Sequence, residues 1–348
     1  EIEAIVAECQ AAAPDRFCEV ARLYGGGRPT LYAYRKWTDV RLVLGPETAA
    51  GSFGGDPDNF SFPRYAYDVA FLRLYENGEP AATPQRLRLR EAPLSDGELI
   101  FVSGFPGETG REISVAEVEY YIDTYFPWAL TVEAEMRGWL LNALAQPGGA
   151  PRGFEGLLYG IENSFKRNWT ELQSLCSAGF MDALRAREAK LRADIAAAPE
   201  VAAMVGDAFG EIEHALADAR ATYYAWRYLD VAAGGGSTLA AHARTIVRAA
   251  HEGKRPDGDR LPGYSADSMA GLREGLETES PVYPEVEAFL LSFWLSKMRE
   301  FLTVDHPAVG LALGREGPDG LARRIVAESK PADPAERQRL GAAAQERS

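Results

Sequence analysis

In Asp39-Val40-Arg41-Leu42-Val43-Leu44, the apolar residues Val40, Leu42 and Leu44 alternate with Arg41 and, less cleanly, with Val43. Successive strand side chains point to opposite faces, so this pattern predicts a strand with one face in a core. Arg16 to Tyr24 and Thr30 to Trp37 read as two further strands, separated by the turn formers Gly25-Gly26-Gly27. A Gly-, Pro- and Asp-rich loop, Gly45 to Arg64, leads into a strand from Asp68 to Tyr75. Asn77-Gly78 then marks a turn, and Glu98 to Val102 reads as a last apolar strand. Short antiparallel strands at this spacing point to a barrel or a sandwich.

From Ser114 the period changes. Ser114-Val115-Ala116-Glu117 fits a capping box opening a helix that runs to about Ala145, where Gln146-Pro147-Gly148-Gly149 breaks it. Phe154, Leu157, Leu158, Ile161, Phe165, Trp169 and Leu172 recur at three and four, as do Val201, Val205, Phe209, Ile212, Leu216, Ala219, Tyr223 and Trp226. Gly234-Gly235-Gly236 precedes another helix starting near Ser237, and further helices follow to about residue 330. The expected class is α+β: a β segment over 1–112, a helical domain over 113–335 and a frayed polar tail over 336–348.

Composition narrows the function. The 348 residues are 46% hydrophobic and 25% charged, ordinary for a globular protein, with no apolar run long enough to span a bilayer. A net charge of −14 without a basic run argues against nucleic acid and anionic membranes as partners. Cys9, Cys18 and Cys176 are odd in number and share no C-x-x-C spacing, so they read as structural, mostly buried thiols rather than a zinc site or disulfide framework. The chain opens on Glu1, which reads as the start of an internal segment.

Three stretches carry candidate chemistry. Asp68 opens an apolar strand that ends in a basic residue, Arg73, an arrangement like the aspartate strand of chymotrypsin-like proteases, where the carboxylate orients an imidazole. Asp96-Gly97-Glu98-Leu99-Ile100-Phe101-Val102 followed by Gly104-Phe105-Pro106 resembles the stretch after that strand in trypsin-like barrels. From Gly54 to Asp68 runs Gly-Gly-Asp-Pro-Asp-Asn-Phe-Ser-Phe-Pro-Arg-Tyr-Ala-Tyr-Asp, a loop whose aromatics could pave a pocket and whose Asn59 and backbone carbonyls could hold an ammonium group.

This last stretch closely resembles the signature of bacterial dipeptidyl aminopeptidases, serine peptidase family forty-six. Thr38 to Val43, Ser103 to Thr109 and the Asn-x-x-Lys helix segment Glu162-Asn163-Ser164-Phe165-Lys166 are similar to the family as well, so the resemblance covers nearly the whole chain. It implies part of a chymotrypsin-like antiparallel β-barrel followed by a large helical domain. It implies Asp68 as triad aspartate, and Asn59, the Phe60 backbone and Asn163 as the grip on a substrate's free N-terminus. Phe60 stands where the family has Trp, Tyr65 where His is common, and Phe105 where Asn or His is common.

The resemblance further implies removal of dipeptides from free peptide N-termini, no metal or other cofactor, a periplasmic or cell-surface setting and a homodimer. The family's catalytic histidine and its Gly-Asn-Ser-Gly nucleophile segment have no counterpart here. His214, His242, His251 and His306 all fall in the helical half and read as surface or packing residues, and Ser237 reads as a helix cap. The isolated chain is therefore expected to be inactive. Two alternatives remain at this point: a peptide-binding relative that has lost catalysis, and a helical scaffold with a vestigial barrel edge.

Overall fold

A computed structural model of the chain describes residues 2–13, 15–24, 27–51, 66–84, 86–88, 90–101, 113–261, 263–278, 281–329 and 333–346. It divides into two units, Glu1–Thr109 and Gly110–Ser348.

The first unit opens with α1 (Ile2–Ala11), which the strand-based reading of this region did not anticipate. Strand β1 (Arg16–Leu23) pairs antiparallel with β2 (Arg28–Arg35), from Arg16 opposite Arg35 to Leu23 opposite Arg28. Cys9 of α1 and the buried Cys18 of β1 form a disulfide, whereas Cys176 is free and exposed. The expectation of buried thiols is thus corrected: α1 folds back onto β1, a proximity that cysteine spacing alone does not encode.

Strand β3 (Asp39–Leu44) and the short helix α2 (Thr48–Gly51) precede β4 (Phe71–Glu76) and β5 (Glu79–Pro80). These strands form an antiparallel sheet in the order β3-β4-β5. Asn77 and Gly78 join the last two with φ of 54° and 83°. Asn and Gly tolerate this left-handed backbone, which matches the twist of the flanking strands. Neither sheet closes into a barrel among the described residues, and residues 98–101 form no strand. The alternating face of β3 is not in a core either, since Val40, Leu42 and Leu44 are all exposed. A sheet of this size has no second layer of its own to cover that face.

In the second unit, the Ser114 hydroxyl accepts from the Glu117 amide and the Glu117 carboxylate accepts from the Ser114 amide, closing the expected capping box over α3 (Val115–Tyr120). The helix widens into a π-turn at Tyr121–Tyr125 before α4 (Phe126–Leu144). Pro127 lacks an amide proton and crowds the carbonyl four residues back, which accounts for the widening there. Then follow α5 (Phe154–Leu175), α6 (Ala178–Ala196), α7 (Pro199–Val205) and α8 (Ala208–Trp226). A second π-turn spans Arg227–Val231, and α9 (Thr238–Glu252), α10 (Ala266–Glu277), α11 (Pro284–Leu302), α12 (Pro307–Leu313), α13 (Pro318–Glu328) and α14 (Pro334–Glu346) complete the unit.

Helix α11 lies at the centre of the packing. Its Leu295, Met298 and Leu302 join Trp128, Tyr223, Tyr228, Val309, Leu313 and Leu321 in one core, and its Phe289 and Leu290 join Met136, Leu140 and Phe154 in another. Burial of such side chains contributes roughly 1.5–3 kcal/mol each. Residues 336–346 belong to α14 and are not a frayed tail: Arg337 is fully buried and donates to the Leu276 and Thr278 carbonyls at 2.6 and 2.8 Å. Those bonds offset the cost of burying a guanidinium and pin α14 to the end of α10.

Candidate active site

Asp68 lies in the irregular segment 66–70, three residues before β4, so it does not itself open the strand. Its neighbour Tyr67 donates its amide to the Ala50 carbonyl at 2.9 Å, which anchors the chain entering β4 to α2. Asp68 is exposed rather than turned into a core. Asn59 and Phe60 lie outside the described residues, as do Tyr65 and Phe105.

Asn163 stands on α5, in the second unit. The inward stripe of this helix runs through Phe154, Leu157, Leu158 and Ile161. Residue 163 is two positions past that stripe, about 200° around the helix, and is accordingly exposed. Its preceding neighbour Glu162 receives a hydrogen bond from Arg137 of α4 at 2.7 Å, which fixes the rotation of α5 against α4. Asp68 and Asn163 thus belong to different units.

A polar cluster that the sequence reading passed over lies one and a half turns along α5. Asn168 is buried and donates to both carboxylate oxygens of Glu133 at 2.8 and 3.0 Å, while its own carbonyl accepts from Arg167. Burial pushes the Glu133 carboxyl above its usual range, and the Asn168 bonds with the Arg167 and Arg227 charges only partly offset this. Arg227 stacks over Trp128 at 4.2 Å, and neither its Nε nor the Tyr223 hydroxyl has a hydrogen-bond partner. The signal was present in the sequence: Asn168 falls three after Phe165 and seven after Ile161, a polar residue on an apolar stripe.

Ser237 and His306 of the helical half both serve as helix caps. The Ser237 hydroxyl accepts from the Ala240 amide at 3.1 Å, capping α9, and donates to the buried Glu287. Glu287 also accepts from the Thr238 and Leu239 amides at 3.0 and 3.1 Å. His306 caps α12 by accepting from the Ala308 amide through Nδ1. His242 is held below its ordinary pKa by burial and by Arg337, against the pull of Glu287. Among the described residues no His, Cys, Asp and Glu group has the arrangement to hold a metal, and no helix is long and apolar enough to cross a membrane.

A groove of about 1210 Å³ runs between α4, α5, α11 and α13. Trp139 and Phe289 stack in it at 4.0 Å between ring centroids, and Lys297 is held there by Glu135 and Glu300. Asn163 is not among its lining residues.

A model of the family described as "Peptidase S46" matches residues 1–348. The chain belongs to the peptidase S46 family. It is 26% identical over 298 residues to the Asp/Glu-specific dipeptidyl-peptidase of Shewanella putrefaciens, a match covering 82% of this chain and 40% of that protein. It is 34% identical over 112 residues to dipeptidyl-peptidase 7 of Porphyromonas endodontalis, covering 29% of this chain and 14% of that one. Among solved structures, Porphyromonas endodontalis DPP11 in complex with the dipeptide Arg-Glu superposes with a TM-score of 0.65 at 18% identity, over 99% of this chain and 52% of that chain. The chain therefore shares that fold and spans about 40% of the Shewanella relative and about half of the solved one.

Proposed function

We propose that this chain works within a serine-type dipeptidyl-peptidase that releases dipeptides from free peptide N-termini. Membership of the peptidase S46 family over all 348 residues carries this reading. The dipeptidyl-peptidase names of its relatives, and a neighbour of the same fold holding a dipeptide, support it. Asp68 would orient the catalytic imidazole, whose positive charge develops as the serine attacks the second peptide bond and an acyl-enzyme forms. The histidine and serine would come from sequence beyond these residues, so the isolated chain would be inactive.

Asn59, the Phe60 backbone and Asn163 would hold the substrate's α-ammonium group. Fixing the terminus sets how far the peptide reaches past the nucleophile, which makes the cut a dipeptide long. Asn163 is exposed on the outer side of α5, as contact with a ligand requires. The uncovered apolar face of β3 supports a barrel completed by further chain. A periplasmic or cell-surface setting is part of the proposal, supported by the Cys9–Cys18 disulfide, since such bonds persist in oxidising compartments. A homodimer is part of it as well, on the family resemblance alone.

Kinetics of the full-length protein on free and N-acetylated peptides test the reading. Free peptides should be cleaved and acetylated ones rejected. Asn59→Ala should lower kcat/KM by roughly tenfold to a thousandfold by removing charge-assisted contacts to the ammonium. An unchanged preference for free termini in that variant would remove the anchor role, and indifference of the wild-type protein to acetylation would remove the exopeptidase reading.

A further inference from the structure

The second π-turn, the three-glycine turn after it and α9 line an open cavity of about 470 Å³ that the peptidase reading does not use. Gly234, Gly235 and Gly236 take φ of 89°, 60° and 88°, and a Cβ on Gly235 would stand 2.6 Å from that of Trp294. The turn therefore requires glycine, and its last residue, Gly236, lines the cavity.

Arg244 and Arg248, one helical turn apart on α9, both line this space, together with Thr245 and Tyr264. Both guanidiniums converge on one oxygen of Asp230, in the π-turn, with Arg248 Nη2 at 2.6 Å. One carboxylate neutralises one of the two cations, so the pair keeps a net positive charge inside a chain whose total is −14. Both arginine side chains are mostly sequestered, at 29% and 33% exposure, which limits how far water can screen that charge. A guanidinium offers five donors; the bonds to Asp230 use one nitrogen of each, and Arg248 also donates to the Tyr264 hydroxyl, whose own O–H is left to give.

The N-terminus of α9 does not supply the site. Its Thr238 and Leu239 amides are taken by Glu287 and its Ala240 amide by Ser237. Whatever the cavity holds must meet the side chains. The volume is that of roughly fifteen waters, ample for a small tetrahedral or planar oxyanion and too small for a folded segment.

We propose that this cavity is a binding site for a small oxyanion, held by Arg244 and Arg248 with the Thr245 and Tyr264 hydroxyls. Forked guanidinium donors match phosphate and carboxylate oxygens in pairs. Two sources share this chemistry, free inorganic phosphate and the carboxylate of an acidic amino acid. None of its lining residues has a role in the dipeptidyl-peptidase reading, and its occupancy is independent of that reading.

The test is titration of the chain with inorganic phosphate and, in parallel, with glutamate, against sodium chloride of equal ionic strength. Phosphorus NMR line broadening reads phosphate binding, and calorimetry reads both. Saturable binding of either anion is expected, weakened about tenfold or more in Arg248→Gln and partly kept in Arg248→Lys, which retains charge without the fork. Preference for phosphate assigns a free inorganic anion, and preference for glutamate assigns a carboxylate. Should Arg248→Gln not fold by circular dichroism, Tyr264→Phe serves, with a smaller loss of affinity expected. If the arginines merely clamp α9 to the π-turn, neither anion will bind saturably, or the variants will bind it as the wild type does. Either result overturns the proposal.

Discussion

Trp128 donates its indole N–H to the Tyr228 hydroxyl at 3.0 Å, joining α4 to the π-turn after α8 through the buried core. The two rings meet edge to face at 6.4 Å, and burial pushes the Tyr228 phenol up to about 12, with the Trp128 bond opposing part of the rise. Each residue is aromatic for packing and polar for one partner, which is how a large ring is accommodated in a core.

Trp128→Phe should therefore destabilise the helical unit by about 1–3 kcal/mol, from a lost buried hydrogen bond and a smaller ring. Urea unfolding followed by far-UV circular dichroism reads this. A change near zero would show that the bond contributes nothing beyond packing.

Ser237 is a cap in this structure, with Glu287 and Ala240 as its partners. Ser237→Ala should cost about 1–3 kcal/mol, because Glu287 stays buried with one donor fewer. Dipeptide release by the full-length protein should be unchanged at temperatures where the variant is folded. Loss of turnover without loss of stability would make Ser237 a catalytic group and contradict the cap assignment.

Glu133 gives a pH dependence with a definite sign. Its folded pKa is raised from the usual value of 4.5, chiefly by burial, so the fold favours the protonated carboxyl. Its contribution is present below the unfolded pKa and declines as pH climbs through the folded one. Glu133→Gln removes this titration. The stability of the variant relative to wild type should rise as pH climbs from the usual carboxyl value of 4.5 through the raised folded one. A difference that is flat with pH, or that falls, would contradict the burial of this carboxyl.

The helical unit was the more legible half, because an amphipathic helix repeats its signal over several turns. Ser114 with Glu117 marked one helix start and Ser237 another, and both caps are in place. β3 was readable over its full length from Asp39 to Leu44 because its alternation is local. The burial of that strand was not readable, since it depends on which other strands cover it. The Cys9–Cys18 pair was missed for the same reason: it rests on α1 turning back, and no local pattern states that. Arg337 misled by composition, because a polar, Ala-rich stretch reads as solvated, yet two backbone carbonyls of α10 and its C-terminal end make its burial favourable.

Of the candidate residues, Asp68 and Asn163 were picked out by motif, while the Glu133–Asn168 pair was not. A motif is local in sequence, whereas a buried polar pair between helices becomes visible only when both helices are placed. The Arg244–Arg248 cavity is a further case. The two arginines stand four apart on one helix, but their convergence on Asp230 is created by the π-turn.

The central claim is that Asp68 serves a serine-type dipeptidyl-peptidase, and Asp68→Asn in the full-length protein tests it most directly. An amide still fills the space but cannot stabilise the imidazolium or impose the same tautomer. The account predicts a fall in kcat of roughly a thousandfold to ten-thousandfold on a free dipeptidyl reporter, with KM little changed and the melting temperature preserved, Asp68 being exposed. A variant that turned over the reporter within a fewfold of wild type would contradict it.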